Sequence, residues 1–156
     1  MAEREHIIQL RGTGPAYEQD YAAWVDHQAG LIKAGRWQEI DRDNLIDEVE
    51  SLGRSVFNSF VGAIEVVLLH MLKWDYQPER RSRSWILSID EHRARAEQEL
   101  EDNPSYKART QQAVERAYRV APLRASGETD LPRRTFPDQC PYDWTQIMER
   151  HHALQS

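Results

Sequence analysis

Leu45, Val49, Leu52, Val56, Phe60, Ile64, Val67 and Met71 recur at intervals of three and four, the spacing of one face of an α-helix. The pattern runs about eight turns, long for a globular helix. From Ile64 to Leu72 the chain is apolar on every side. A helix of that kind is the central, most buried element of its fold. The run Ser55 to Leu72 is nearly the ~20 residues that span a bilayer, but it carries Asn58, Glu65 and His70 along its flank. It is therefore expected to be a core helix.

The rest of the chain supplies elements to pack against it. Residues 1–14 are expected to form a mobile tail broken by Gly12 and Gly14, and a single helical domain is expected over 15–153. Pro15 suits a first helical turn. Tyr17, Tyr21, Trp24, Val25, Leu31 and Ile32 give the apolar spacing of a first helix, with Gln28 on the same face and Gly35 as its stop. Asp41 is expected to cap the second helix. A third runs from about Ser84 to Asp102 with Trp85, Ile86, Ile89, Ala96 and Leu100 inside. Asn103 and Pro104 are expected to open a fourth, which Pro122 kinks or stops. Residues 124–141, with three prolines and Gly127, read as loop. Asp143 and Gln146 form a capping box for a short last helix through about His152. No strand alternation and no internal repeat occur. The expected fold is all-α, an up-and-down bundle of four main helices with a short C-terminal one.

Composition narrows the function classes. The chain has 156 residues, 40% hydrophobic and 29% charged, with a formal net charge of −6. That is globular composition, and an acidic domain is a poor general nucleic-acid binder. The single Cys140 excludes an internal disulfide and any Cys–Cys metal motif. It fits a reducing, cytoplasmic setting. The charged N-terminus, Met1 to His6, lacks the apolar stretch of a secretory signal.

The densest chemistry lies at the junction from His70 to Trp85, where the central helix ends and Pro78 breaks the chain. Trp74, Tyr76, Arg80, Arg81, Arg83, Ser84 and Trp85 make it a candidate partner or anion surface. Ser82, Ser84 and the free N–H groups at the start of helix three form a generic site for a small anion, and the arginines could add charge-assisted bonds. The plainer alternative pairs those arginines with Asp75, Glu79 or Glu91 and puts both Trp rings in the core. A second constellation follows the polar edge of helix two. Glu48, His70 and Lys73 fall close together on a helical wheel, and Asp20, Gln28 and Arg93 are candidate partners from helices one and three. Glu48 and His70 are about six turns apart and cannot touch. These six residues define a candidate polar pocket for acid/base chemistry, or else a satisfied hydrogen-bond network that fixes packing register.

Metal chemistry finds little support. The paired Glu-x-x-His motifs of di-iron bundles are absent. Glu65 is five residues from His70, and Glu91-His92 and His151-His152 are adjacent pairs that point apart on a helix. His6 and the terminal pair are expected in tails. No cofactor or metal is expected. Cys140 has no nearby His and reads as a small hydrophobe docking the C-terminal segment.

Several segments carry a resemblance. They are Tyr17-Glu-Gln-Asp-Tyr-Ala-Ala-Trp24 with Gln28-Ala29, Asp43-Asn-Leu-Ile-Asp-Glu-Val-Glu-Ser-Leu-Gly53, and Leu69-His-Met-Leu-Lys-Trp-Asp-Tyr-Gln-Pro78. Arg81-Ser-Arg-Ser-Trp85 and Phe136-Pro-Asp-Gln-Cys-Pro-Tyr142 complete the set. Over about residues 15–150 the chain resembles the DUF29 family, small bacterial all-helical proteins of unknown function. The resemblance implies a helical domain and brings no catalytic residues with it. Ala121-Pro-Leu interrupts a stretch where the family would have a continuous charged helix. The functional expectation is a non-enzymatic module that binds an unknown protein partner, or itself, through the junction. A small-ligand protein or enzyme using the polar pocket is the alternative. RNA binding through Arg80, Arg81, Arg83 and the Trp rings is a weaker one, and no membrane association is expected.

Overall fold

The computed structural model describes residues 14–154. The expected N-terminal tail lies almost entirely outside the described residues. Six α-helices follow in order: α1 Tyr21–Lys33, α2 Arg42–Tyr76, α3 Arg83–Asp102, α4 Thr110–Tyr118, α5 Ala121–Thr129 and α6 Trp144–Glu149. No strand occurs among the described residues, so the observed class is the all-α one that the periodicity predicts. The residues group into two compact units, the first up to Gly53 and the second from Arg54.

In the first unit α1 begins later than Pro15 suggests. Residues 16–20 form a turn, with the N–H groups of Gln19 and Asp20 donating to the carbonyl of Ala16. Asp20 then caps α1 by accepting from the Ala23 N–H at 3.0 Å. The helix stops at Gly35, whose φ of +68° is the left-handed region that favours glycine. Asp41 opens α2. Its carbonyl accepts from the Leu45 N–H, and its own N–H donates to Gln28 Oε1 at 2.7 Å.

The second unit holds the main core. Phe57, Phe60, Ile64, Val67, Leu68, Met71 and Leu72 of α2 pack with Ile89 and Ala96 of α3 and with Ala113, Ala117, Ala121 and Ala125 of α4 and α5. The window of α2 that is apolar and long enough to cross a membrane is 56% buried inside the protein, which supports its role as a core helix. The expected inner stripe of α2 is only partly inner. Burial begins at Phe57, while Val49, Leu52 and Val56 are exposed. Periodicity marks a face of a helix but not what covers it.

Helix four also differs from expectation. Residues 104–109 form a 3-10 turn, and the α-helical part starts at Thr110. Asn103 makes no side-chain cap for it; its side-chain amide N–H donates back to the Glu99 carbonyl at 3.2 Å. At Pro122 the chain stops and restarts. Pro122 sits in the first turn of α5, where a missing N–H leaves no bond unmade. The first third of the expected loop is thus helix, fixed by the buried Ala125 and Thr129, and Asp130 ends it in the left-handed conformation at φ 57°. The capping box at Asp143 forms in both directions, but α6 ends at Glu149 rather than near His152.

Candidate functional site

At the junction the central helix runs out at Tyr76 and Pro78 opens a short 3-10 turn. The chain folds back so that Arg81 Nε donates to the Trp74 carbonyl at 2.9 Å. That bond satisfies an orphan carbonyl at the end of α2. The Arg81 guanidinium also lies over the Trp74 ring, 4.9 Å from its centre. Trp74 is 4% exposed, and the ring of His152 meets it edge-on at 5.3 Å. Tyr76 is half-buried and packs edge-on against Phe136. The Trp85 ring carries the Lys73 ammonium 4.6 Å from its centre. Of the candidate residues here, Arg80, Arg83 and Ser84 stay exposed. Ser84 exchanges a hydroxyl hydrogen bond of 2.8 Å with Ser82.

Neither Asp75 nor Glu91 binds the junction arginines. Asp75 takes two bonds from Arg150, at 2.7 and 2.8 Å, and a third from the Tyr142 hydroxyl at 2.8 Å. Burial works against its charge, but the bonds from Arg150 and Tyr142 outweigh it and hold the carboxyl below its usual range. Burial and the Asp75 carboxylate together push the Tyr142 hydroxyl far up. Glu91 pairs with Arg95 on its own helix.

The expected polar pocket resolves into separate contacts. In the first unit, Glu48 accepts hydrogen bonds from the hydroxyls of Tyr17 and Tyr21. These bonds hold its carboxyl below the usual range and raise the Tyr17 hydroxyl to about 12. Asp20 is the cap of α1, and Gln28 is buried on the Asp41 N–H. Trp24 Nε1 adds a bond to Asp41 Oδ2 at 3.1 Å. In the second unit, His70 Nδ1 lies 2.9 Å from the Val66 carbonyl one turn back. Burial, with a smaller push from Lys73, lowers the pKa of its ring despite that bond. Buried Lys73 donates to Glu128 at 2.7 Å. Arg93 donates to the carbonyls of Ile147 at 2.7 Å and Gln146 at 3.2 Å, so it terminates α6. Among the described residues no group of three or more His, Cys, Asp or Glu is placed to hold a metal.

Two features escape a reading of the sequence. The first is His152, expected in a tail but 7% exposed, with both ring nitrogens lacking a protein partner. Burial and the nearby Arg150 and Arg93 charges lower its pKa to about 4. The second is the apolar side of the first part of α2. Val49 is 66% and Leu52 65% exposed. Beside them an open groove of about 280 Å³ is lined by Ile40, Leu45, Ile46 and Val49, with Arg42 and Glu50 at its edge. The three-and-four spacing of Leu45, Val49 and Leu52 was the available signal, but it reads equally as core.

Glu48, Lys73, Asp75 and Arg93 are each engaged by groups of their own unit, while Arg80 and Arg83 at the junction and Val49 and Leu52 on α2 are exposed. The described residues form an all-α domain. The chain belongs to the DUF29 family, a domain of unknown function whose model matches residues 16–153. No curated protein and no solved structure matches the chain.

Proposed function

We propose that this protein is a non-enzymatic helical module that binds a protein partner through the apolar side of α2 in its first unit. The exposure of Val49 and Leu52, two large aliphatic side chains one turn apart, carries the reading. Apolar side chains grouped on a surface beside a groove mark sites of contact. Exposed Trp37 in the same unit adds a residue type that anchors interfaces. The junction at 74–85 remains a contact surface of a different kind. Its exposed Arg80 and Arg83 offer a basic edge to an acidic partner or a small anion, while Trp74 faces inward.

The acid/base alternative has less support. Glu48 is occupied by two tyrosine hydroxyls, and His70 is turned to its own helix. A reducing, bacterial cytosol is the setting the reading favours. The lone Cys140 is consistent with it, being half-buried with its thiol pushed up by burial.

A photo-crosslinking amino acid at position 52, introduced in cells, tests the reading. A discrete crosslinked species is expected. Crosslinking from position 80 or 83 with none from 52 would move the contact to the junction. No adduct from any of the three would sink the reading.

A further inference from the structure

We infer that the partner on this apolar side is a cationic amphipathic helix of another protein, which sets apolar side chains on α2 and Lys or Arg side chains along the carboxylates beside it. The inference rests on the contact reading above and adds the chemistry of the occupant. Charge carries it. Residues 14–53 hold nine Asp or Glu against three Lys or Arg. Residues 54–156 hold fifteen of each sign, and residues 1–13 two of each. The whole net charge of −6 therefore belongs to the first unit. That balance does not depend on how single carboxylates are paired within the unit.

Part of the excess lies next to the apolar strip. Asp43, Asp47 and Glu50 are spaced four and three apart on α2, so they form one exposed ridge of the helix. The ridge runs along the same turns as Ile46, Val49 and Leu52, which are 45, 66 and 65% exposed. Glu50 also edges the groove. Arg42, a cation at that groove, stands between Asp41 and Asp43 in the chain. An apolar strip and a carboxylate ridge, both parallel to one helix axis, call for a partner with two matching stripes. A helix with apolar residues three and four apart and cations on the adjoining edge supplies them. Its charge selects the partner and speeds the encounter, and the apolar contact holds it.

Salt reads the charge directly. The attraction between this unit and a cationic helix is screened as sodium chloride is added, so the association weakens. An apolar contact without charge keeps its strength. A second copy of the chain brings the same carboxylate excess, so like charges meet across such a contact.

Two synthetic amphipathic peptides serve as probes, one of Leu and Lys and one of Leu and Glu with the same apolar pattern. Each is dye-labelled and titrated with the full-length protein by fluorescence anisotropy. The Leu/Lys peptide is expected to bind at least about 10-fold more tightly than its Leu/Glu counterpart, and less tightly as salt is raised. Leu52→Gln should weaken it about 10-fold, since it places a polar group in an apolar contact. Asp47→Asn together with Glu50→Gln should weaken it by about the same factor. Glu97→Gln together with Glu101→Gln, both exposed on α3 in the second unit, should leave it unchanged. All the substituted positions are exposed, so circular dichroism of the variants should match the parent. Equal affinity for the two peptides, binding indifferent to Leu52→Gln, or a loss from the α3 pair as large as from the α2 pair would each overturn the inference. The in-cell experiment separates the two levels. A crosslinked partner segment with an excess of Lys and Arg at position 52 supports the cationic helix. A segment without that excess, or an adduct of twice the chain mass, overturns this inference and leaves contact through position 52 standing.

Discussion

Asp75 in the last turn of α2 grips Arg150, just past α6, through two parallel hydrogen bonds of 2.7 and 2.8 Å. The pair fastens the C-terminal segment to the end of the central helix, with the Tyr142 hydroxyl as a third support. Arg150 is about one-third exposed, so the ion pair itself contributes modestly. Removing the carboxylate does more, because it strands the buried Tyr142 hydroxyl. Asp75→Ala is expected to lower stability by about 2 kcal/mol and Arg150→Met by about 1 kcal/mol. Urea titration of both variants checks the order. Equal losses would put the weight on the ion pair alone.

Acidification should loosen this end of the protein in two stages. His152 is held near 4 when folded and titrates near 6.5 when unfolded. Between those values the unfolded chain binds the extra proton, so stability falls as pH drops through that window, by at most about 3 kcal/mol. His70, also lowered by burial, acts in the same direction. Asp75 has a depressed folded pKa. Its contribution is present above the ordinary carboxylate pKa and is lost as pH falls below it, toward the folded value. Thermal unfolding from pH 7 to 4 should show the first stage, and His152→Leu should flatten it. An unchanged slope in that variant would remove His152 as its source.

The two tyrosines on Glu48 give a local readout of the first unit. Tyr17 is raised to about 12 and Tyr21 is raised as well, chiefly by their hydrogen bonds to the carboxylate. Glu48→Gln removes the charge that opposes tyrosinate formation. An ultraviolet difference titration of parent and variant should show tyrosine ionisation moving to lower pH, toward the ordinary value near 10. Coincident titration curves would mean that the hydroxyls do not rest on Glu48 in solution.

Leu68 and Leu87 separate the inside of the second unit from its outside. Leu68 is fully buried on α2 and Leu87 is exposed on α3. Leu68→Ala is expected to cost about 3 kcal/mol, as a cavity-forming change does, and Leu87→Ala to stay within about 0.5 kcal/mol. Denaturant midpoints of the two variants compare them directly.

The helical class, the course of α2, the Gly35 stop and the Asp143 capping box were legible because each is local. Their signals sit within one or two turns of the residues they shape. The short helix at 121–129 was hidden by its own punctuation. Pro122 and Gly127 mark breaks in a sequence, yet a proline in a first turn is compatible with a helix. The C-terminal cluster was not legible, because Trp74 and His152 are brought together only by the packed chain. Residues far apart along the sequence leave no periodic trace of their meeting. By sequence Asp20 and Gln28 are candidate pocket members. They prove to hold backbone N–H groups where α1 and α2 begin, a role that polar residues beside helix starts often share with functional ones.

The six residues of α6 are too few to hold a helix in water by themselves. One end is tied by Asp143 and Gln146 to each other, and the other by the carbonyls that Arg93 gathers from across the unit. The last helix is therefore conditional on the third. It cannot nucleate early during folding, and any excursion that swings Arg93 away dissolves it at once. In a hydrogen-exchange experiment its amides would report the opening of a side-chain contact rather than their own helical propensity.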